Sequence, residues 1–86
     1  AEYLEWVKEV GPKLVTEEVV RIRSYDNFEG GNPHRLVEME FNSIEDMQKY
    51  QRHPEIRAIM QDMSNHTSSS EGHTFIQRSD YVKINP

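Results

Sequence analysis

A chain of 86 residues, 35% of them hydrophobic, has the length of one small domain, which we expect to span residues 1–86. It has no cysteine, so disulfides cannot reinforce a small core, and association with a second copy is the remaining source of buried surface. The net charge of −5 and the scattered basic residues argue against nucleic-acid binding, and no apolar run approaches the ~20 residues of a membrane span, so we expect a cytoplasmic protein.

The first predicted element is a helix over residues 2–16. Its apolar residues recur at steps of four, three and four and form one stripe: Tyr3, Val7, Val10 and Leu14. Gly11 and Pro12 interrupt the pattern, because proline lacks an amide donor and clashes with the preceding turn. We therefore predict a kink or a break at this point, followed by a short turn through Leu14 and Val15.

A hairpin follows, with strands predicted over residues 19–25 and 34–41 and a loop of turn-forming residues over 26–33. Antiparallel pairing would set two arginines against two glutamates across the strands, namely Arg21 and Arg23 against Glu38 and Glu40. This polar sheet face has two interpretations of equal weight. It is either exposed to solvent or a polar lining beneath a second sheet.

The second helical region begins at Ser43, whose hydroxyl can cap the helix N-terminus. Pro54 is predicted to start a new helical segment, since a missing amide costs nothing at that position. Residues 65–72 are Ser-rich and predict a mobile loop, and residues 74–84 predict a last strand. The order α-β-β-α-β lacks the first strand of a βαββαβ unit, so we expect a strand of roughly 6–10 residues to precede this sequence.

The segment FNSIEDMQKY (41–50), followed by HPE (53–55), resembles the dimeric α/β-barrel superfamily. It is most similar to the stress-responsive A/B-barrel proteins, which include a plant polyketide cyclase. The resemblance implies an α+β, ferredoxin-like fold, in which an antiparallel sheet carries two helices on one face. It also implies a homodimer that joins sheet faces into a barrel, and the C-terminal segment 81–86 is expected to reach onto the partner.

The same resemblance places Tyr50 at the position of the family's tyrosine. The chain nevertheless lacks both of the histidines that are catalytic in cyclase-like members. Ile56 stands where cyclase-like members carry the second His of His-Pro-x-His, and Arg35 stands at the other, with His34 one residue earlier. Neighbouring strand residues point to opposite faces, so His34 does not substitute safely. The Asn-Trp-His set of related haem-degrading enzymes does not carry over, because Trp6 lies on the first helix.

The candidate ligand-pocket residues are therefore drawn from several elements: Tyr50, His53, Trp6, His34 and Arg35. Tyr50 is either a core tyrosine or the residue that orients a carbonyl or phenol in a cavity. The histidines lack metal-ligand spacing, so we expect no metal and no cofactor, and we assign no catalytic residue.

Two functions follow from these residues. The first is a small-molecule-binding or stress-associated barrel protein with a small aromatic ligand and no catalysis of its own. The alternative is a cofactor-free monooxygenase or polyketide-cyclase-like enzyme that acts on an aromatic substrate in the helix–sheet pocket. A cavity where Tyr50 and a histidine converge would favour the enzyme, and a filled core at Tyr50 would favour the binding protein.

Overall fold

The computed structural model describes residues 2–84 as an α+β fold with a two-stranded antiparallel sheet. Its elements are α1 (Glu2–Leu14), β1 (Val19–Asp26), β2 (Arg35–Phe41), α2 (Ile44–Arg52), α3 (Pro54–Asp62) and a 3₁₀ turn (Met63–Asn65). This architecture is compatible with the ferredoxin-like class that was expected. The strand expected before residue 1 lies outside the described residues.

Of the predicted kink or break at Gly11 and Pro12, the break does not occur, because helix α1 is continuous through both residues. The helix ends at Leu14, two residues before its predicted end. The helix tolerates Pro12 because this residue lies in the last turn. Its missing amide removes one backbone hydrogen bond there, and only two helical residues follow it. Contacts upstream of Pro12 keep the helix in place, because Trp6 and Val10 are buried against Ile59 of α3.

The register of the hairpin confirms the predicted cross-strand charge pairs. Arg21 lies opposite Glu40 and Arg23 opposite Glu38, and the shortest contact joins Arg23 Nη2 to Glu38 Oε1 at 2.7 Å. An irregularity between Val19 and Arg21 leaves one extra residue in β1, which marks a β-bulge. These side chains are about half exposed, so the pairs contribute to the charge pattern of the face more than to stability.

The second helical region consists of two helices, as the Pro54 pattern predicted. Ser43 Oγ accepts a hydrogen bond from the amide of Asp46 at 3.1 Å and caps α2. His53 separates the helices in an extended conformation, and Pro54 is the first residue of α3. α2 packs against both strands while α3 packs against α1. Ring contact between Phe41 and Tyr50, whose centroids are 5.1 Å apart, joins β2 to α2.

Residues 74–84 form no strand, which corrects the predicted last strand. Its apolar side chains are exposed, Phe75 by 86% and Tyr81 by 94%. The segment has the composition of a strand, but a strand also needs a neighbour that pairs with its amides and carbonyls. Within residues 2–84 the sheet contains β1 and β2 alone. The segment touches α2 through Thr74 Oγ1, which donates to Met47 Sδ at 3.8 Å.

Candidate functional site

Tyr50 lies inside the core rather than in a cavity. Its side chain is 2% exposed, and its hydroxyl donates a hydrogen bond to the backbone carbonyl of Leu14 at 2.8 Å. Burial, with a smaller contribution from the charge of Glu18, raises the pKa of Tyr50 to about 12. Because the neutral Tyr50 hydroxyl is already bonded to Leu14, it links the end of α1 to α2. It is therefore not free to orient the carbonyl group of a ligand.

His53 is held by a carboxylate on the loop between α1 and β1. Its Nε2 lies 3.0 Å from Glu18 Oε1, and the same oxygen accepts a hydrogen bond from Thr16 Oγ1 at 2.6 Å. The Glu18 side chain is 9% exposed, whereas that of His53 is 42% exposed. The Thr16 hydroxyl, followed by the His53 imidazole, lowers the pKa of Glu18, and burial opposes this shift. Glu18 is therefore an ionised carboxylate that orients a half-exposed imidazole.

A surface cavity of about 240 Å³ opens beside this pair. It is lined by Glu17, Glu18, Asp46 and Lys49, so Glu18 belongs both to the cavity and to the His53 contact. Tyr50 does not line it. The cavity is smaller than the ~300–1,000 Å³ typical of sites for drug-sized ligands. It has room for a small ligand, and its three carboxylates outnumber the single ammonium group.

Trp6 belongs to a different cluster, on the α1–α3 side of the molecule. Its indole stacks on the imidazole of His66 with centroids 4.5 Å apart and planes 14° from parallel. Its Nε1 donates to Asp62 Oδ2 at 3.2 Å, and His66 Nε2 lies 3.1 Å from the same oxygen. Hydrogen bonds from Asn65 and then His66 and Trp6 lower the pKa of Asp62, against a smaller effect of burial. The cluster joins the end of α3 and the residue after the 3₁₀ turn to α1.

Arg35 and His34 lie at the hairpin end of the sheet. Tyr3 links Arg35 to the Trp6 cluster, since the Tyr3 and Trp6 ring centroids are 6.1 Å apart. Arg35 Nε donates to Asp26 Oδ1 at 2.9 Å, and its guanidinium carbon lies 5.2 Å from the centroid of the Tyr3 ring. The bond to Asp26, with a smaller contribution from Tyr3, raises the pKa of Arg35. His34 is exposed, and its carbonyl accepts from the amide of Asn27 at 2.9 Å.

The five predicted pocket residues therefore do not converge on one cavity. Tyr50 and His53 lie together at the end of α2. Tyr50 is bonded to the last residue of α1, Leu14, and His53 to Glu18 on the loop that follows. No local sequence pattern marks Thr16 and Glu18, because the carboxylate of Glu18 meets a histidine 35 positions away in the chain. Only the path of the chain brings them together.

Comparison of this chain with protein-family models, with curated proteins and with solved structures finds no match. Among the described residues, no group of three or more His, Asp or Glu side chains is arranged to hold a metal ion. In residues 2–84 no helix combines the length and the apolar character needed to cross a bilayer.

Proposed function

We propose that this chain is the subunit of a homodimeric α/β-barrel protein that binds a small molecule and does not catalyse a reaction on it. The observation that carries this proposal is the burial of Tyr50, whose hydroxyl is bonded to Leu14. Ile56 supports it further. This residue, which stands where cyclase-like members have a histidine, is 2% exposed and packed in the core. An enzyme of the cyclase-like type would need polar side chains that reach a bound substrate at these two positions.

The proposed dimer rests on the sheet face that carries Arg21, Arg23, Glu38 and Glu40. A two-stranded sheet is marginal by itself and gains stability by covering a face. Tyr25 and Leu36, which pair across the strands on this same face, are 44% and 55% exposed. Two arginines and two glutamates make a neutral, self-complementary patch, which suits the twofold contact of a homodimer.

Reversing one charge on this face is expected to weaken the dimer. Arg23→Glu leaves three acids and one arginine on each face, so like charges meet across the interface and the dissociation constant rises by about tenfold or more. Sedimentation velocity over a concentration series measures this constant. The matched control is the exchange Arg23→Glu/Glu38→Arg, which keeps the neutral patch and is expected to remain dimeric. A wild-type monomer at micromolar concentration would refute the proposed dimer.

The proposed ligand site is the cavity beside Glu18. Its size suits one aromatic ring rather than a polycyclic system. Its excess of carboxylates favours a ligand with an amine or another positively charged group, while Lys49 can meet a hydroxyl or carbonyl oxygen. The proposed ligand is accordingly a small, one-ring aromatic molecule with a cationic group.

The binding test compares two probes that share a ring and differ in charge. 4-Hydroxybenzylamine is expected to bind with a dissociation constant below about 1 mM, and 4-hydroxybenzoate about tenfold or more weakly, which corresponds to about 1.4 kcal/mol. Isothermal titration calorimetry measures both. Glu17→Gln and Asp46→Asn are expected to reduce the preference for the amine, whereas Glu5→Gln on α1 serves as the matched control. Equal affinity for the two probes, or binding of neither, contradicts the assigned site.

One observation favours the alternative of a cofactor-free monooxygenase or polyketide-cyclase-like enzyme. Glu18 holds one ring nitrogen of His53, and a carboxylate-oriented imidazole can accept a proton at its other nitrogen. Oxygen uptake with anthrone as the aromatic probe tests the monooxygenase form of this alternative. Turnover that is lost in His53→Ala and retained in His34→Ala would replace the binding proposal with the enzymatic one.

A further inference from the structure

Phe28 is a fully exposed aromatic residue on the loop that joins β1 to β2. The loop around it is tied by Asn27, whose Nδ2 donates to the carbonyls of Gly31 and Pro33 at 3.2 and 3.0 Å. Asn27 Oδ1 also accepts from the amide of Glu29 at 3.0 Å. The backbone on either side of Phe28 is thus held by hydrogen bonds, and the loop presents the phenyl ring to solvent.

A cavity of about 210 Å³ lies at the same end of the hairpin. Its walls are Tyr25, Asp26, Asn27, Pro33 and Leu36. The rings of Tyr25 and Pro33 and the Leu36 side chain supply apolar surface, and the volume is below that of a typical drug-sized site. Phe28 of the same chain does not fill this cavity, because its side chain is fully exposed. The hairpin end therefore carries both an apolar projection and an apolar recess of side-chain size.

We propose that Phe28 of each copy inserts into the cavity between Tyr25 and Leu36 of a second copy of this chain. A surface that carries both a projection and its recess is suited to an isologous twofold contact, in which each copy gives and receives the same group. The inference rests on the homodimer proposed above and names the contact that holds its hairpin ends together.

The charges of the sheet face are consistent with the same symmetry. A twofold axis that runs along the strands, midway between β1 and β2, places β1 of one copy over β2 of its partner. Arg23 then lies opposite the partner's Glu38, and Tyr25 opposite the partner's Leu36. The hairpin loop that carries Phe28 then lies over the partner's hairpin loop, whose Asn27 and Pro33 line the cavity. One axis thus serves both the charged patch and the aromatic contact.

The first test removes the projection or the recess and measures dimer dissociation by sedimentation velocity. Phe28→Ser and Leu36→Asp are each expected to raise the dissociation constant by about 100-fold or more, because two copies of the apolar contact are lost. Phe28 and Leu36 are both exposed in one chain, so neither change should disturb the fold, and circular dichroism checks this. The matched control is Phe75→Ser, an exposed aromatic residue outside the hairpin, which is expected to leave the constant unchanged.

The second test uses the absence of cysteine from the chain. A mixture of the Phe28→Cys and Leu36→Cys variants is expected to form a disulfide-linked dimer under mild oxidation, whereas a mixture of Phe28→Cys and Phe75→Cys is not. If Arg23→Glu dissociates the dimer, Phe28→Ser does not, and no cross-link forms between positions 28 and 36, this contact is wrong. The proposed homodimer is then still supported. A wild-type chain that stays monomeric overturns both proposals.

Discussion

Tyr50→Ala is expected to lower the free energy of unfolding by about 3–5 kcal/mol, the range for removing a buried aromatic side chain. The ring is 2% exposed and packs on Phe41, and its hydroxyl holds the carbonyl of Leu14 at the end of α1. The substitution therefore leaves a cavity and an unpaired carbonyl at the junction of α1, α2 and β2. Urea denaturation followed by circular dichroism measures the loss.

Two variants separate the contributions at this position. Tyr50→Phe keeps the ring and is expected to cost about 1 kcal/mol, the typical value of one hydrogen bond. Phe75→Ala removes an aromatic side chain from a site that is 86% exposed, and is expected to change stability by no more than about 0.5 kcal/mol. A Tyr50→Ala protein of unchanged stability that no longer binds 4-hydroxybenzylamine would contradict the structural role and make Tyr50 a ligand residue.

Ile56→His is expected to destabilise the protein by about 2 kcal/mol or more and to create no cyclase activity. The substitution restores the family histidine, but Ile56 is 2% exposed in the core, so the imidazole loses apolar contacts and its ring nitrogens lack partners. Burial disfavours the charged imidazolium, so the penalty is expected to grow as the pH falls below ~6.5, where the unfolded chain takes up a proton more readily than the folded chain.

Thermal unfolding at a series of pH values measures this effect. The matched control is Ile76→His, which makes the same substitution at a residue 70% exposed and is expected to show little destabilisation and no added pH dependence. An Ile56→His variant as stable as the wild type would mean that the side chain at position 56 reaches solvent or a ligand cavity, which would support the enzymatic alternative.

The local elements of the fold follow from short stretches of sequence. The period-two alternation of residues 36–41 and the Ser43 cap predicted where β2 gives way to α2, and the structure confirms both. The same alternation predicted that Arg21 and Arg23 share a face with Glu38 and Glu40, and the register confirms it. These features depend on neighbouring residues and on pairing across one hairpin, so the chain encodes them within some 20 positions.

The residues of the candidate site follow less directly from the sequence. The apolar spacing on α2 is compatible with Tyr50 either in the core or in a cavity. Only the contacts with Phe41 and Leu14 favour the core. The role of His53 depends on Glu18, which no spacing rule connects to it. Trp6, proposed for the same pocket, instead faces α3, since the path of the chain after Asp62 brings His66 against it.

The sequence by itself determined the acidic character of the chain, the positions of its helices and hairpin, and the charge pairs across its sheet. Tertiary structure decided which of these elements pair and which side chains are buried. Residues 74–84 show the difference most clearly, because they have the composition of a strand but pair with no strand among residues 2–84. Helices satisfy their backbone groups within one segment, whereas a strand depends on a partner that lies far away in the sequence or in another chain.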